Sequence, residues 1–397
     1  MRLSLALLLS LALLVIALYL IFDPLARERL PTLRVAGPPE VVFDWSRDAC
    51  SPEHYPDLPA RAFRDARGRV QLITAHDVNR RMIGPSLGHL RVDCRPVLRS
   101  DEDPRPSAYD DRQWIAAVRT EDGRTVHALL HDEFQGHRHP GRCPQDAYEP
   151  CWYNAVTSAV SRDGGDTYAH QEPPPHHLVA AIPYRYAAGS GPSGLFSPSN
   201  IVRSPDDGRL YSLLQAGARG AQRGGTCVMR ADDLEDPGSW RAWDGEGFSV
   251  RFADPYAEDV DPAEHVCAPV AGREIQSMDE SLTFNTLLDR WLLVGMAADP
   301  APDAEARPRW GVWYSVSDDL IHWSPRRLLM RAERPATFRC GDAPPILYPS
   351  LIDPASPSRS FDTTGRRAFL FFTRFTVDGC ELSSDRDLVR VPVEISR

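Results

Sequence analysis

The chain has 397 residues, 42% of them apolar and 25% charged, which is enough to bury one large core or two ordinary ones. Its net charge of −10 excludes a nucleic-acid surface, because phosphate binding needs a basic footprint. Thirty-six prolines against 26 glycines break long helices and suit many short strands joined by loops.

From the N-terminus, Leu3 to Phe22 is a run without a charge, long enough to cross a bilayer as a helix. The following IFDPLARERLP offers no good cleavage site, so residues 1–24 read as an uncleaved signal anchor; a cleaved signal peptide is the competing reading. A linker, 25–39, leads to the body, 40–397. The eight cysteines are widely spaced and form no C-x-x-C pair. Behind an export signal such a set suggests disulfides, simplest as neighbours: Cys50–Cys94, Cys143–Cys151, Cys227–Cys267 and Cys340–Cys380. Buried free thiols are the alternative. The body is therefore expected outside the cytoplasm, in the periplasm or beyond it, tied to the membrane by the N-terminal segment.

Next come five pairs of strand-like runs, each broken by a turn: AFRDARGRVQLITAH (62–76), WIAAVRTEDGRTVHALLHDE (114–133), SNIVRSPDDGRLYSLLQAG (199–217), SLTFNTLLDRWLLVGMAA (281–298) and SLIDPASPSRSFDTTGRRAFLFFTR (350–374). Apolar–polar alternation around D-G and D-D-G is a hairpin signal. After each pair comes a further strand-like segment: HLRVDCRPVL (89–98), AVSRDGGDTYAH (159–170), VMRADDLEDPGSWRAW (228–243), SVSDDLIHWSPRRLL (315–329) and LSSDRDLVRVPVEI (382–395). Most share an Asp in a turn, and in three an aromatic follows. Repetition of a hairpin followed by another strand is the mark of a propeller, one antiparallel sheet per blade. The fold expected is all-β, a five-bladed β-propeller, with EVVFDWS (40–46) adding a strand to the last blade to close the ring. A two-sheet sandwich explains the strands but not their ordered repetition. Ser161, Asp163, Gly165, Thr167 and Tyr168 fit an Asp-box turn, whose side chains bond their own backbone.

SDDLIHW (317–323), the strand-entry pieces and the count of five resemble the five-bladed propeller glycoside hydrolases of family 43; the Asp box is more typical of six-bladed sialidases. The resemblance covers 40–397 as an architecture and a blade rhythm. It implies a funnel on the ring axis, lined by the starts of the innermost strands, in which two carboxylates act as acid and base and a third tunes the acid.

On that placement the strand starts offer Arg64 and Asp65, Asp110 and Asp111, Ser199 and Asn200, Asp279 and Glu280, and Ser350 with Asp353. Glycosidic cleavage needs a proton donor for the leaving oxygen and a base or nucleophile across the ring. FRD (63–65) loosely resembles the Arg–Asp pair of propeller fructosidases and arabinosidases, although Asp65 also suits a turn. Asp111 precedes the strand WIAAV, where one of the two aspartates suits a strand-start turn. Glu280 precedes an apolar strand with no turn glycine nearby, and Glu is disfavoured there on propensity, so it is the best candidate acid. The stretch 127–156 holds His131, Asp132 and Glu133 at a strand end, then His137 and His139 in a cysteine-bracketed loop. It reads as a sugar pocket with Glu133, His131, His137, Trp152, Tyr153 and Asn154, as a metal site, or as plain polar loop. HDVNRR (76–81) ends a strand in the equivalent place, which puts His76, Asn79 and Arg80 on the same rim. Arg374, at a matching strand end, would suit the carboxylate of a uronic or sialic acid; a sialidase needs three such arginines and a Tyr–Glu pair, for which Arg64, Arg203 and Arg374 with Tyr348 are available, but the count of five disagrees. No G-x-S-x-G or phosphate loop is present. The function expected is carboxylate acid/base hydrolysis of a carbohydrate by Asp65, Asp111, Glu133 and Glu280, with no cofactor and no metal; the rival is a propeller that binds glycan or protein without catalysis.

Overall fold

The computed structural model describes residues 30–74, 76–144, 147–299 and 308–397. The expected signal anchor, 1–24, lies outside the described residues. Among them no helix is long and apolar enough to cross a membrane.

The fold is all-β and built from five antiparallel meanders in chain order. The first is Arg61–Arg64, Val70–Ile73, Val78–Ser86 and His89–Arg99, each strand paired with the next. The second is Arg112–Arg119, Val126–Gln135 and Trp152–Ser161, edged by Ala169–His170 and Leu178–Ala180. The third runs from Ser193–Pro198 through Leu210–Ala216 and Gly225–Ala231 to Arg241–Trp243 and Phe248–Val250. A short parallel contact, Ser193 to Tyr153 and Gly194 to Asn154, merges the second and third into one sheet. The fourth is Ser281–Asn285, Arg290–Asp299, Arg309–Ser317 and Arg327–Arg331. The fifth is Ile346–Ile352, Arg367–Asp378 and Glu381–Ser396, and both Thr32–Val35 and Glu40–Phe43 pair with its last strand. Of the N-terminal strand expected at 40–46, Glu40–Phe43 forms, Trp45–Asp48 turns into a short helix instead, and a second strand, Thr32–Val35, precedes it.

The core is divided in five, and each part is shared by two successive meanders. Ile115 packs with the first meander while Ala117, across a register shift that reverses the facing of the strand, packs with the third. Leu214 faces the second and Leu213 the fourth; Leu293 faces the third and Leu292 the fifth. Successive side chains point to opposite faces of a strand, so every meander is covered on both sides. The fifth part closes the cycle: Phe371 and Leu388 of the last meander pack on Leu72 and Met82 of the first.

Polar side chains stitch the inner strands together. Arg61, 3% exposed, donates from Nε to the Ala116 carbonyl at 2.7 Å, from Nη2 to the Glu280 carbonyl at 2.7 Å and from Nη1 to Ser350 Oγ at 3.3 Å, joining the first, second, fourth and fifth meanders. Asn79 clamps the second meander through the Gln113 carbonyl and the Ile115 N–H. Asn200 clamps the fourth in the same way at Leu282.

The Asp box forms as the sequence indicates. Ser161 Oγ accepts from Gly165 N at 2.7 Å, and Asp163 accepts from Thr167 N at 3.0 Å and from its hydroxyl at 2.7 Å. Ser317 and Asp319 repeat the pattern ahead of a buried Trp323. All four disulfides pair as nearest neighbours, with Cα–Cα distances of 4.7 to 6.1 Å.

Candidate functional site

The inner strands of the first, third, fourth and fifth meanders converge on a cavity of about 300 Å³. Pro59 reaches it from the first meander and Phe196 from the third, Glu280, Met296 and Trp310 from the fourth, and Tyr348 from the fifth. A larger hollow of about 700 Å³ lies at the outer end of the fifth meander. Its two carboxylates are spent: Asp353 accepts from the Ala355 and Gly365 amides, and Glu394 pairs with Arg34. Of these two hollows, the smaller is the one with chemistry to offer.

Glu280 sits immediately before the strand Ser281–Asn285. Its carboxyl oxygens accept from Met296 N at 2.9 Å and from Asp279 N at 3.2 Å. Burial pushes it up to about 7, only partly opposed by those amides and by Arg334. Asp279 beside it is pushed well above the ordinary carboxylate range by burial and by Glu280, with Arg61 opposing. A carboxyl that holds its proton near neutrality and opens onto a cavity can act as a proton donor.

Tyr348 forms the opposite wall. It takes φ +60° within a strand whose register shifts between Leu347 and Ser350. A tyrosine in the left-handed region is strained, and such strain persists only where the surroundings impose it. The bulge brings the phenol to Asp57, donating to Oδ1 at 3.4 Å. Asp57 is also ion-paired with Arg386, whose guanidinium lies 4.4 Å over the Tyr55 ring. Burial raises the Asp57 carboxyl, against the pull of Arg386.

Glu133 completes the group. His131 Nε2 lies 2.9 Å from Oε1, and Gln135 Nε2 and the Tyr148 hydroxyl donate to Oε2 at 2.7 and 2.9 Å. Tyr148 stacks on Trp152 at 4.7 Å, and Trp152 meets Phe196 edge-on at 5.4 Å. These rings make a continuous aromatic wall from Glu133 to the cavity. Tyr148 is 37% exposed, one of two large apolar side chains left so open among the described residues. The Cys143–Cys151 disulfide brackets the loop that carries it.

Of the residues expected from sequence, Glu280 and Tyr348 line the cavity; Trp152 adjoins it through Phe196 and Glu133 through Tyr148 and Trp152, with His131 on Glu133 and His137 an edge-on contact of Tyr148. His76 stands at the margin, paired with Asp77 and linked through the Trp114 ring to His131. The others are placed elsewhere. The inner strand Arg61–Arg64 enters from the cavity at Pro59, so Arg64 and Asp65 occupy its far end. There Asp65 caps its own turn through Arg67 N and Arg69 N, and Arg64 binds the carbonyls of Pro354, Ser356 and Ser358. Asp111 is one step behind Glu133, accepting from Gln135 N and pairing with His139. Asp110 is pushed up to about 7 by burial, yet it lies against Asp101 N and near His170, away from the cavity lining. Asn79 and Asn200 are the seam clamps already described, and Asn154 donates to the Ser193 carbonyl across the second seam. Arg80 binds the Cys94 carbonyl, and Arg374 pairs with Asp387. Sequence reasoning missed Asp57, Tyr148, Trp310, Arg334 and Arg386. Among the described residues no three His, Cys, Asp or Glu side chains are grouped to hold a metal ion.

No family model matches the chain, and no curated protein matches it. Among solved structures it is similar to a glycosyl hydrolase from Bacteroides ovatus, at 10% identity and a TM-score of 0.49, over 91% of this chain and 93% of that one. An alpha-L-arabinanase of Cellvibrio cellulosa, complexed with arabinohexaose, matches at 10% identity and a TM-score of 0.47, over 84% and 91%. A thermostable family-43 glycoside hydrolase matches at 10% identity and 0.41, over 81% and 84%.

Proposed function

We propose that the protein is a glycoside hydrolase on a five-bladed β-propeller, each meander a blade. The observation that carries the reading is Glu280, a carboxyl raised to about 7 that opens onto an aromatic-walled cavity at the convergence of the inner strands. Glu280 is the proton donor to the leaving oxygen. Glu133, held by three polar neighbours, is the second carboxylate, acting on water as base or on the anomeric carbon as nucleophile; the separation across a bound sugar decides which. Asp57 replaces Asp65 as the first blade's carboxylate and, tied to Tyr348 and Arg386, sets the charge around the pair. Tyr148, Trp152 and Phe196 offer faces on which a sugar ring stacks.

The four disulfides support a body outside the cytoplasm, and residues 1–24 would hold it to the membrane as a signal anchor. The second reading, a glycan-binding propeller without catalysis, is favoured by the same exposed Tyr148, which serves binding as well as turnover. Hydrolysis of a panel of aryl glycosides and polysaccharides separates the two. Turnover that collapses in Glu280→Gln and Glu133→Gln supports the enzyme. Folded, oxidised protein that turns over nothing on the panel sinks it.

A further inference from the structure

Most buried or half-buried arginines around the axis are committed to protein partners. Arg61 binds two carbonyls and a hydroxyl, Arg386 pairs with Asp57, Arg112 with Asp77 and Arg119 with Asp362. Arg334 differs. It lines the cavity, its guanidinium lies 4.3 Å over the Trp310 ring, its buried Nε has no hydrogen-bond partner, and among the described residues no carboxylate forms an ion pair with it. The acid that feels its charge is Glu280, the group that keeps its proton. Trp310 Nε1, on the same wall, is likewise without a partner.

The buried Arg334 Nε–H without an acceptor is costly, and a ligand that brings an anion to this edge of the fork recovers that cost. Stacking on an indole fixes the plane of the fork, which then loses little freedom when it binds a carboxylate through two parallel N–H bonds. Nearby carboxyls do not supply this partner, since Asp57 already has Arg386 and Glu133 has His131, Gln135 and Tyr148.

We infer that the cavity takes an acidic sugar, a uronic acid residue, whose carboxylate pairs with Arg334 beside the Glu280 carboxyl. This rests on the reading of the cavity as a carbohydrate site and names its substrate class.

The test is calorimetric titration of the full chain with D-glucuronate and D-galacturonate, against D-glucose and D-galactose as matched neutral sugars. One uronate should bind at least tenfold tighter than its neutral counterpart. Arg334→Leu should erase that preference, and Arg334→Lys, which keeps charge without the fork, should fall between. Equal binding of acidic and neutral sugars by the wild type, or a preference that survives Arg334→Leu, overturns the inference. Because binding needs no turnover, absent hydrolysis with Arg334-dependent uronate binding defeats only the catalytic reading. Hydrolysis confined to neutral glycosides defeats only this one.

Discussion

Gly295 lies directly against the carboxyl of Glu280: a Cβ at position 295 would collide with Glu280 Oε2 and crowd Met278. The glycine is in the middle of the strand Arg290–Asp299, where it adds nothing to sheet stability, so its place is explained by the side chain it admits. Gly295→Ala should therefore move Glu280 off its two amides. Turnover should drop tenfold or more, with a loss of about 1–3 kcal/mol in stability from overpacking. Steady-state rates beside urea melts check this, and a variant with wild-type kcat would show that Glu280 needs no fixed position.

The raised pKa of Glu280 sets a pH dependence. Its proton must be present for acid catalysis, so kcat/KM should fall as pH rises through about 7. Glu280→Gln should lose about 10²–10⁴-fold in kcat. A pH–rate profile flat to pH 9 would remove Glu280 from the acid's role.

The same shift has a stability consequence of defined sign. The folded state holds the Glu280 proton more tightly than the unfolded chain, so stability falls as pH rises from the unfolded value of 4.5 to the folded value of about 7, then levels. Gln cannot ionise. Glu280→Gln should match the wild type near pH 4.5 and melt higher at pH 8, even as its turnover falls. Parallel melting curves at every pH would contradict this.

How much of the site the sequence could reveal depended on which physical signal each residue carried. Glu280 was legible because a glutamate ahead of an apolar strand, with no glycine to make a turn, has no local reason to be there. Asp57 was not, because the hairpin around Asp65 and Gly68 drew attention to the wrong end of the first strand. That strand's true start is masked by Arg61, a buried cation that breaks the apolar pattern. Asn79 and Asn200 looked like site residues because they are polar at strand positions; their amides in fact satisfy backbone groups on the next meander, a need that only tertiary contact creates. Arg334 follows a strand in a loop with no motif around it. The disulfides were legible because each consecutive pair of cysteines falls within or just beside one meander.

Loosening the loop that carries Tyr148 should affect the site more than the fold. Replacing both Cys143 and Cys151 by Ser opens a cross-link only eight residues long, worth about 2–3 kcal/mol by chain entropy. Tyr148 would then lose its fixed stack on Trp152 and its bond to Glu133. KM should rise several-fold while the protein still folds cooperatively. An unchanged KM would place Tyr148 outside the sugar's path.

Arg61 carries the opposite expectation. It does not itself line the cavity, but its guanidinium binds three meanders other than its own, and through the carbonyl of Glu280 it reaches a residue that does. Burial lowers it to about 9, which leaves it charged at neutral pH. Arg61→Met keeps most of the stem's packing and strips the Ala116 and Glu280 carbonyls of their donor, so it should cost about 3–5 kcal/mol. The pin also holds Glu280 at the start of its strand. The surviving folded protein should therefore show a lower kcat and a displaced alkaline limb in its pH–rate profile, which a purely structural role would leave in place. Chemical denaturation gives the first quantity and the profile gives the second. A destabilised variant whose profile is unmoved would make Arg61 a structural pin with no hold on the acid.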